Sequence, residues 1–565
     1  MISKPSVFLF GIVILLFSCK EKLEDKVALG GKKYGGVFTY FTPEKTDVFF
    51  PLYSPTVYNQ RILSQIFEPL FNLDEKGNLV PNLAKSIKIS KDSKTITIRL
   101  RNDVYFHKDE SFSGNLKMTA EDVKYSLDFA CSGNKWNSMG PLLRDKIKGG
   151  REYYKKSRTN FTSKGVEGIK IVDDSSIRIY LTNKQVGFQK ILAHPCIGVF
   201  SKKAVNYYKN DFFKHPIGTG PFWLHSTSKD NIILARNPTY WKKDIFGNQL
   251  PFLSEIHIFN SKGIKEEFRA FSKKEADIIF ELPVNQLDYT FGSLADAQKG
   301  KNLLHKVFVK KGTKINYLSF NCAIYPFNNE LVRKAFSLAI DREKICLDAM
   351  NGEGNHTING FIPKSSYYTP NETVILKYDP LTARKLLIEA GFNKQNPFPK
   401  LTLYINAQKG GLTDKWSEEI VSQLQANLGV ELTIKYCSLA QKYNAILSKK
   451  AKIWKSGWVP DYPDADAYLS QFYSNLKRAP NKENNYNSYN SKIFDSLYER
   501  TQLEPNKLER LRLQRQCDKF IIQKAIVAPL FSEDLFVVVN LNARDFNIST
   551  SGIIDFSRIY IKEVF

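Results

Sequence analysis

Leu401-Thr402-Leu403-Tyr404-Ile405, the stretch from Thr413 to Leu428, and Val430-Glu431-Leu432-Thr433-Ile434 follow one another with only short polar connections between them. The first and last segments are short, apolar or alternating runs, which reads as strand. The middle segment carries apolar residues at helical spacing. Upstream, Asp379-Pro380 places a capping side chain before a proline at the first helical position. Leu386, Leu387 and Ala390 then form an apolar stripe, and Gly391 sits where a helix C-terminus favours glycine. Helix, strand, helix, strand in sequence predicts an α/β domain.

Working outward, Leu331, Ala335, Leu338 and Ala339 keep helical spacing, and Asp341 ends that run before Arg342-Glu343-Lys344. Further towards the N-terminus, Ile87 and Ile89, the turn Lys91 to Lys94, and Ile96, Ile98 and Leu100 predict a β-hairpin. Ile169 to Val172, the turn Asp173 to Ser176, and Ile177, Ile179 and Leu181 predict a second. Between them Thr119-Ala120-Glu121-Asp122 opens an amphipathic helix, with a threonine N-cap, acids in the first turn, and Val123, Leu127 and Ala130 on one face.

Downstream of the α/β stretch lies Gly457-Trp458-Val459-Pro460-Asp461-Tyr462-Pro463-Asp464. Two prolines within four residues predict a loop or edge rather than a central strand. Asp461 and Asp464 beside Trp458 and Tyr462 would offer negative charge and aromatic faces to a cationic group such as an α-ammonium. The same residues also suit a polar surface turn whose aromatics pack underneath.

Lys4, the apolar run Val7 to Phe17, and Ser18-Cys19 have the layout of a secretory signal, too short to span a bilayer. Export is the expectation, with 1–18 as signal peptide. Lys20 to Tyr34 is charged and glycine-containing, the composition of a tether. Length, 565 residues, exceeds what one core usually holds. The net charge is +25, from 82 Lys and Arg against 57 Asp and Glu. Such a field attracts anionic lipid, nucleic acid or acidic ligands. The lysines are nevertheless dispersed in pairs such as Lys202-Lys203 and Lys310-Lys311, without an arginine-rich run, which argues against a nucleic-acid partner. Cys131, Cys196, Cys322, Cys346, Cys437 and Cys517 form no C-x-x-C pair and read as buried thiols. The histidines are scattered, none beyond His356, and no metal set or cofactor is predicted. There is no G-x-S-x-G, H-E-x-x-H or phosphate-cradling glycine loop, so an enzyme is not expected.

Ile66-Phe67-Glu68-Pro69-Leu70, Val80 to Ala84, Val104-Tyr105-Phe106-His107 and Thr119 to Val123 resemble successive signatures of the family 5 bacterial extracellular solute-binding proteins. Gly218-Thr219-Gly220-Pro221-Phe222 with Arg236-Asn237-Pro238-Thr239-Tyr240-Trp241 resembles the next pair, and Arg333 to Arg342 followed by Tyr378 to Phe392 completes the order. The resemblance covers nearly the whole mature chain.

It implies an α/β periplasmic-binding-protein fold of type II, cluster C: two lobes joined by a hinge, plus an extra inserted domain. By analogy lobe one is 35–58, 185–312 and 530–565, the inserted domain is 59–184, lobe two is 313–529, and 19–34 is a lipidated cysteine with its tether. Leu16 to Cys19 resembles a lipobox, implying lipidation at Cys19 and a membrane-anchored, periplasmic or cell-envelope lipoprotein. The implied function is capture of oligopeptides between the lobes by a monomer that delivers them to the permease subunits of an ABC transporter. Within the family, nickel complexes, haem and oligosaccharides are alternative ligands, and a sensory or adhesive role is another. Asp461 matches the family's carboxylate for the peptide α-ammonium, and Trp458 its cleft aromatic. Tyr462 belongs to the same ligand set, and Asn321, after Tyr317 to Phe320, is placed either at the cleft wall or at a buried strand end. Gly218 to Pro221 is expected to be a structural turn. Phe49 and Phe50, in the place of a lip loop, are expected to narrow the cleft.

Overall fold

Two long antiparallel strands, His305–Phe320 and Val527–Asn540, run through both halves of the molecule. They belong to a computed structural model that describes residues 27–562 apart from 54–55, 75–76, 159–163, 281–304, 351–353, 371–374, 408, 410, 461, 475–484 and 550. The signal stretch, Cys19 and Asp461 therefore lie outside the described residues. At one end of the long pair, Val538 and Val539 bond to the short strand Ile278–Ile279. At the other, Ile315 to Phe320 pair with Ile453–Trp458. The same strands feed different cores. Val537 and Val539 pack with the first half, while Ala528, Leu530 and Phe531 pack with the second. Between them the ladder shifts register from Lys310 to Lys314. Two crossing strands with a local break in their ladder are what a hinge between two cores requires.

The second half follows the strand, helix, strand reading. Leu401–Ile405 and Leu432–Tyr436 pair in parallel and are connected by the helix Leu412–Leu428. Trp416, Ile420 and Leu424, spaced by four, form its buried stripe. The expected helix after Asp379 is Pro380–Glu389, with the Asp379 carboxylate accepting from Thr382 N–H at 3.0 Å. The helix after Thr119 is Ala120–Ala130, with Val123, Leu127 and Ala130 buried.

In the first half, both predicted hairpins form, and they join into one sheet of order Ala84–Ile89, Thr95–Leu100, Ser176–Tyr180, Ile169–Asp173. A second sheet holds Phe222–Thr227, Asn231–Arg236, Glu255–Asn260 and Val37–Thr42. Ile96, Ile98, Ile177 and Ile179 of the first sheet share one continuous core with Phe38, Ile256 and Ile258 of the second.

Three of the strings that carry the family resemblance, Ile66 to Leu70, Gly218 to Phe222 and Arg236 to Trp241, meet at a buried carboxylate. Glu68 accepts from Thr219 Oγ1 at 3.1 Å, Tyr240 Oη at 2.8 Å and Trp241 Nε1 at 2.9 Å, and Lys242 Nζ lies 3.0 Å away. Beside it, a Cβ on Gly218 would stand 2.0 Å from the Ile66 carbonyl oxygen, and one on Gly220 2.3 Å from that of Gln65. Only glycine allows this approach. The Gly218 to Pro221 segment is thus a packing turn, as its sequence suggested.

Two expectations are corrected. Phe49 and Phe50 do not narrow a cleft: both are buried, and Phe50 sits edge-on against Phe129, Phe200 and Phe212. Three aromatic partners withdraw that ring from water, which favours the core over a lip. Residues 27–34, read as tether, form the hairpin Val27–Ala28 and Lys32–Lys33 docked on the body. Lys32 Nζ lies 2.6 Å from Asp545 and 3.3 Å from Asp244, and Tyr34 packs on Phe252.

Asp518 is buried in the second half and accepts from Phe361 N–H at 2.7 Å and Tyr368 Oη at 2.8 Å. Burial pushes its carboxyl up from 3.8 to about 6, against the pull of the Tyr368 hydroxyl. A folded value above the unfolded one means that this group's contribution to stability is fully present below about pH 4 and is lost as pH rises through about 6, by roughly 3 kcal/mol. Urea unfolding at a series of pH values is expected to show this slope in the wild type and a weaker one in Asp518→Asn. Equal slopes in both would refute the assignment.

Candidate functional site

Where the long strands pass into the second half, part of one edge of Ile453–Trp458 has no paired strand among the described residues. On one side it pairs with His305–Phe320 along its whole length. On the other, Leu401–Ile405 pairs only with Ile453 and Trp454, so Lys455 to Trp458 extend beyond their partner. The direction of their backbone groups follows from strand alternation. The Lys452 carbonyl accepts from Asn321 N–H on the long strand, so Trp454, Ser456 and Trp458 face that way as well. Lys455 and Gly457 face outward. In agreement, the Lys455 carbonyl accepts from Lys442 Nζ at 3.2 Å, and Asn406 Oδ1 accepts from the same ammonium at 2.5 Å. Lys442 is buried, and desolvation brings its amine down to about 8. The outward N–H and C=O of Gly457 lie on an exposed residue and have no backbone partner among the described residues.

The floor beside Gly457 is polar. The Asn316 amide donates to Glu533 Oε1 at 2.6 Å, and Lys314 Nζ donates to Glu533 Oε2. Burial opposes ionisation of Glu533, yet Lys314 holds its carboxyl below the ordinary value. Asn316 Oδ1 is buried without a hydrogen-bond partner among the described residues and lies 3.2 Å from where a Gly457 Cβ would be.

The turn after Trp458 is tightly packed. Trp458 is half-buried, and its indole N–H donates to the Ala467 carbonyl at 2.9 Å. Tyr462 is 6% exposed and donates its hydroxyl to Asp466. Asp466 also accepts from Tyr498 Oη at 2.6 Å and Gln502 Nε2 at 2.5 Å, with Lys146 Nζ 4.0 Å away. Asp464 is buried and accepts from Arg510 and Gln514 at 3.0 Å and from Lys190 at 3.2 Å. Burial would raise its carboxyl, but Arg510 and Lys190 keep it below the ordinary value. Asp464 is therefore a structural ion-pair partner, and the picture of it as half of an open acidic cage is corrected. Its charge is already matched by two cations from separate helices. Asn321 is 1% exposed just past its strand, its Oδ1 accepting from Ala323 N–H at 3.2 Å, which is the buried strand-end alternative.

Against this turn lies a cavity of about 1280 Å³, bordered by Tyr462 and Asp466 on one side and by residues between Pro141 and Gln185 on the other. Sequence reasoning did not point to it. The tyrosines Tyr473, Tyr489 and Tyr498 that help line it sit in a tyrosine- and asparagine-rich stretch, the one local signal available.

The oligopeptide-binding protein OppA of Bacillus subtilis is 25% identical over 520 residues, covering 89% of this chain and 88% of that one. The glutathione-binding protein GsiB of Salmonella typhimurium is 26% identical over 494 residues, covering 86% and 87%. The structure of the periplasmic binding protein DppA from Helicobacter pylori in complex with peptide STSA superposes with a TM-score of 0.78 at 22% identity, covering 94% of this chain and 99% of that one. That likeness establishes the two-lobed periplasmic-binding-protein fold. Residues 78–479 match the description "Bacterial extracellular solute-binding proteins, family 5 Middle", a family of proteins that bind solutes without transforming them. By that match over most of its length, the chain belongs to the bacterial extracellular solute-binding proteins, family 5.

Proposed function

We propose that this protein captures oligopeptides between its lobes and hands them to the permease of an ABC importer. The observation that carries the reading is the free strand edge at Gly457. An extended peptide laid along Lys455 to Trp458 would find an outward N–H and C=O and add a strand to the sheet, with affinity from the backbone and little demand on side chains. Asp461, four residues on, supplies the carboxylate for the peptide α-ammonium, and Trp458 and Tyr462 shape the wall beside it. The names of the similar proteins, an oligopeptide-binding and a glutathione-binding protein, and the peptide held by the Helicobacter pylori protein, agree with a peptide ligand. Closure about the two crossing strands would couple binding to lobe motion. In the same reading Cys19 carries the lipid that anchors the mature chain at the membrane, which intact-mass measurement of the exported protein would test.

Native mass spectrometry of residues 20–565 purified from cells is expected to release a ladder of short peptides. A single metal chelate, porphyrin or sugar mass would overturn the reading. For the clamp itself, Asp461→Ala is expected to weaken peptide affinity about 30-fold, on the order of 2 kcal/mol, with the melting temperature retained. Unchanged affinity would remove Asp461 from the site.

A further inference from the structure

The cavity beside the turn is large and carries a net positive charge that its own acids do not balance. At about 1280 Å³ it exceeds the roughly 300–1,000 Å³ that encloses a drug-sized molecule. Eight lysines and arginines line it against five aspartates and glutamates.

Three of the five acids are ion-paired within the lining. Asp145 lies 2.8 Å from Arg151 and 3.7 Å from Arg144. Glu167 lies 2.7 Å from Lys148. Asp466 holds Tyr462, Tyr498 and Gln502 and faces Lys146. Glu499 accepts from the Tyr473 hydroxyl. Glu152 has no cation within ion-pair distance among the described residues, and the neutral Tyr473 hydroxyl leaves the charge of Glu499 in place.

The cations outnumber the acids. Lys156, Lys164 and Lys184 on one wall and Lys449 on the other have no acidic partner among the described residues. Asp145 is shared by two guanidiniums, so the lining keeps four ammonium groups outside any ion pair among the described residues and, with eight cations against five acids, a net charge of +3. Low-dielectric walls focus such a field, and each ammonium gains a charge-assisted hydrogen bond when a carboxylate enters. A cationic side chain would meet like charge, so the same arrangement discriminates as well as attracts.

We infer that this cavity receives the acidic side chains of the bound peptide, making the protein selective for peptides that carry glutamate or aspartate beyond their first residues. The inference rests on the peptide reading above and extends it from ligand class to ligand charge. Tyr462, five residues after Gly457, borders the cavity, and an extended ligand that starts at the strand edge would reach it.

The test uses the full mature chain and three short alanine-based peptides that differ only at their C-terminal half: glutamates, glutamines or lysines. Calorimetric titration at low salt is expected to give about tenfold tighter binding for the glutamate peptide than for the glutamine one, with the lysine peptide weakest, and a gap that narrows at high salt. In the variant Lys156→Gln, Lys164→Gln, Lys184→Gln the glutamate-to-glutamine ratio is expected to collapse to about one. These lysines are exposed or half-exposed, and the melting temperature checks that the variant folds. A ratio that persists in the variant would assign the preference to the field of the whole +25 chain and overturn the inference. Equal binding of all three peptides by the wild type would overturn it while leaving the peptide reading standing. Binding of none would overturn the peptide reading and the inference with it.

Discussion

Replacing Glu68 by alanine is expected to lower the free energy of unfolding by about 3–5 kcal/mol, the range for removing one member of a buried, hydrogen-bonded charge pair. The carboxylate is 4% exposed and is the common acceptor of a threonine hydroxyl, a tyrosine hydroxyl, an indole N–H and an ammonium. Alanine leaves Thr219 and Tyr240 buried with donors and no acceptor, and leaves Lys242 without its counter-charge. Glu68→Gln keeps the shape, but its amide nitrogen turns donors towards donors, so it is expected to recover less than half of the loss. Urea denaturation of both variants measures this, with Trp241 reporting locally. A shift below about 1 kcal/mol for the alanine variant would show that the four donors find other partners. The prediction explains why motif strings 150 residues apart accompany one another: they build one polar joint in the first half.

Arg342 is expected to be the corresponding joint in the second half. Its guanidinium donates to the carbonyls of Pro529 at 2.7 Å, Leu376 at 3.1 Å, and Ile340 and Ser337 at 3.2 Å, and to Ser337 Oγ at 3.1 Å. Burial lowers its pKa to about 10, with Asp341 pulling the other way, and the group remains a cation at neutral pH. Five acceptors from three chain segments match the five N–H groups of arginine, and no other side chain offers that number in one plane. Arg342→Met, similar in reach, is expected to cost at least about 3 kcal/mol because several buried carbonyls lose their donor together. Arg342→Lys, with three donors, is expected to fall between methionine and wild type. Denaturation midpoints in that order would bear this out, and a methionine variant as stable as the wild type would refute it.

Much of the secondary structure was legible because its causes are local. Thr119 and Asp122 cap the helix that follows them, Asp379 caps the helix that starts at Pro380, and the turns at Lys91 to Lys94 and Asp173 to Ser176 close their own hairpins. Each of these depends on atoms within a few residues of one another. The two-lobed plan came from the order of the motif strings rather than from periodicity, since no local pattern says which core a strand will join. Phe49 and Phe50 show the limit: their residue type suited a lip as well as a core, and only the presence of Phe129, Phe200 and Phe212 around them decided the matter.

The candidate site divides the same way. Sequence alone determined that Gly457 to Asp464 gathers two prolines, two acids and two aromatics in a short stretch, and that the chain is strongly basic without a nucleic-acid motif. Only the tertiary structure decided that Asp464 is spent on Lys190 and Arg510, that Tyr462 is spent on Asp466, and that Gly457 holds an open edge where its neighbouring strand stops. It also decided that lysines from 156 to 184 face Lys449 across one cavity. The physical reason is that the charge or hydrogen-bonding capacity of a side chain is a property of the residue, whereas whether that capacity remains available to a ligand depends on which partners the folded chain brings within about 3 Å of it.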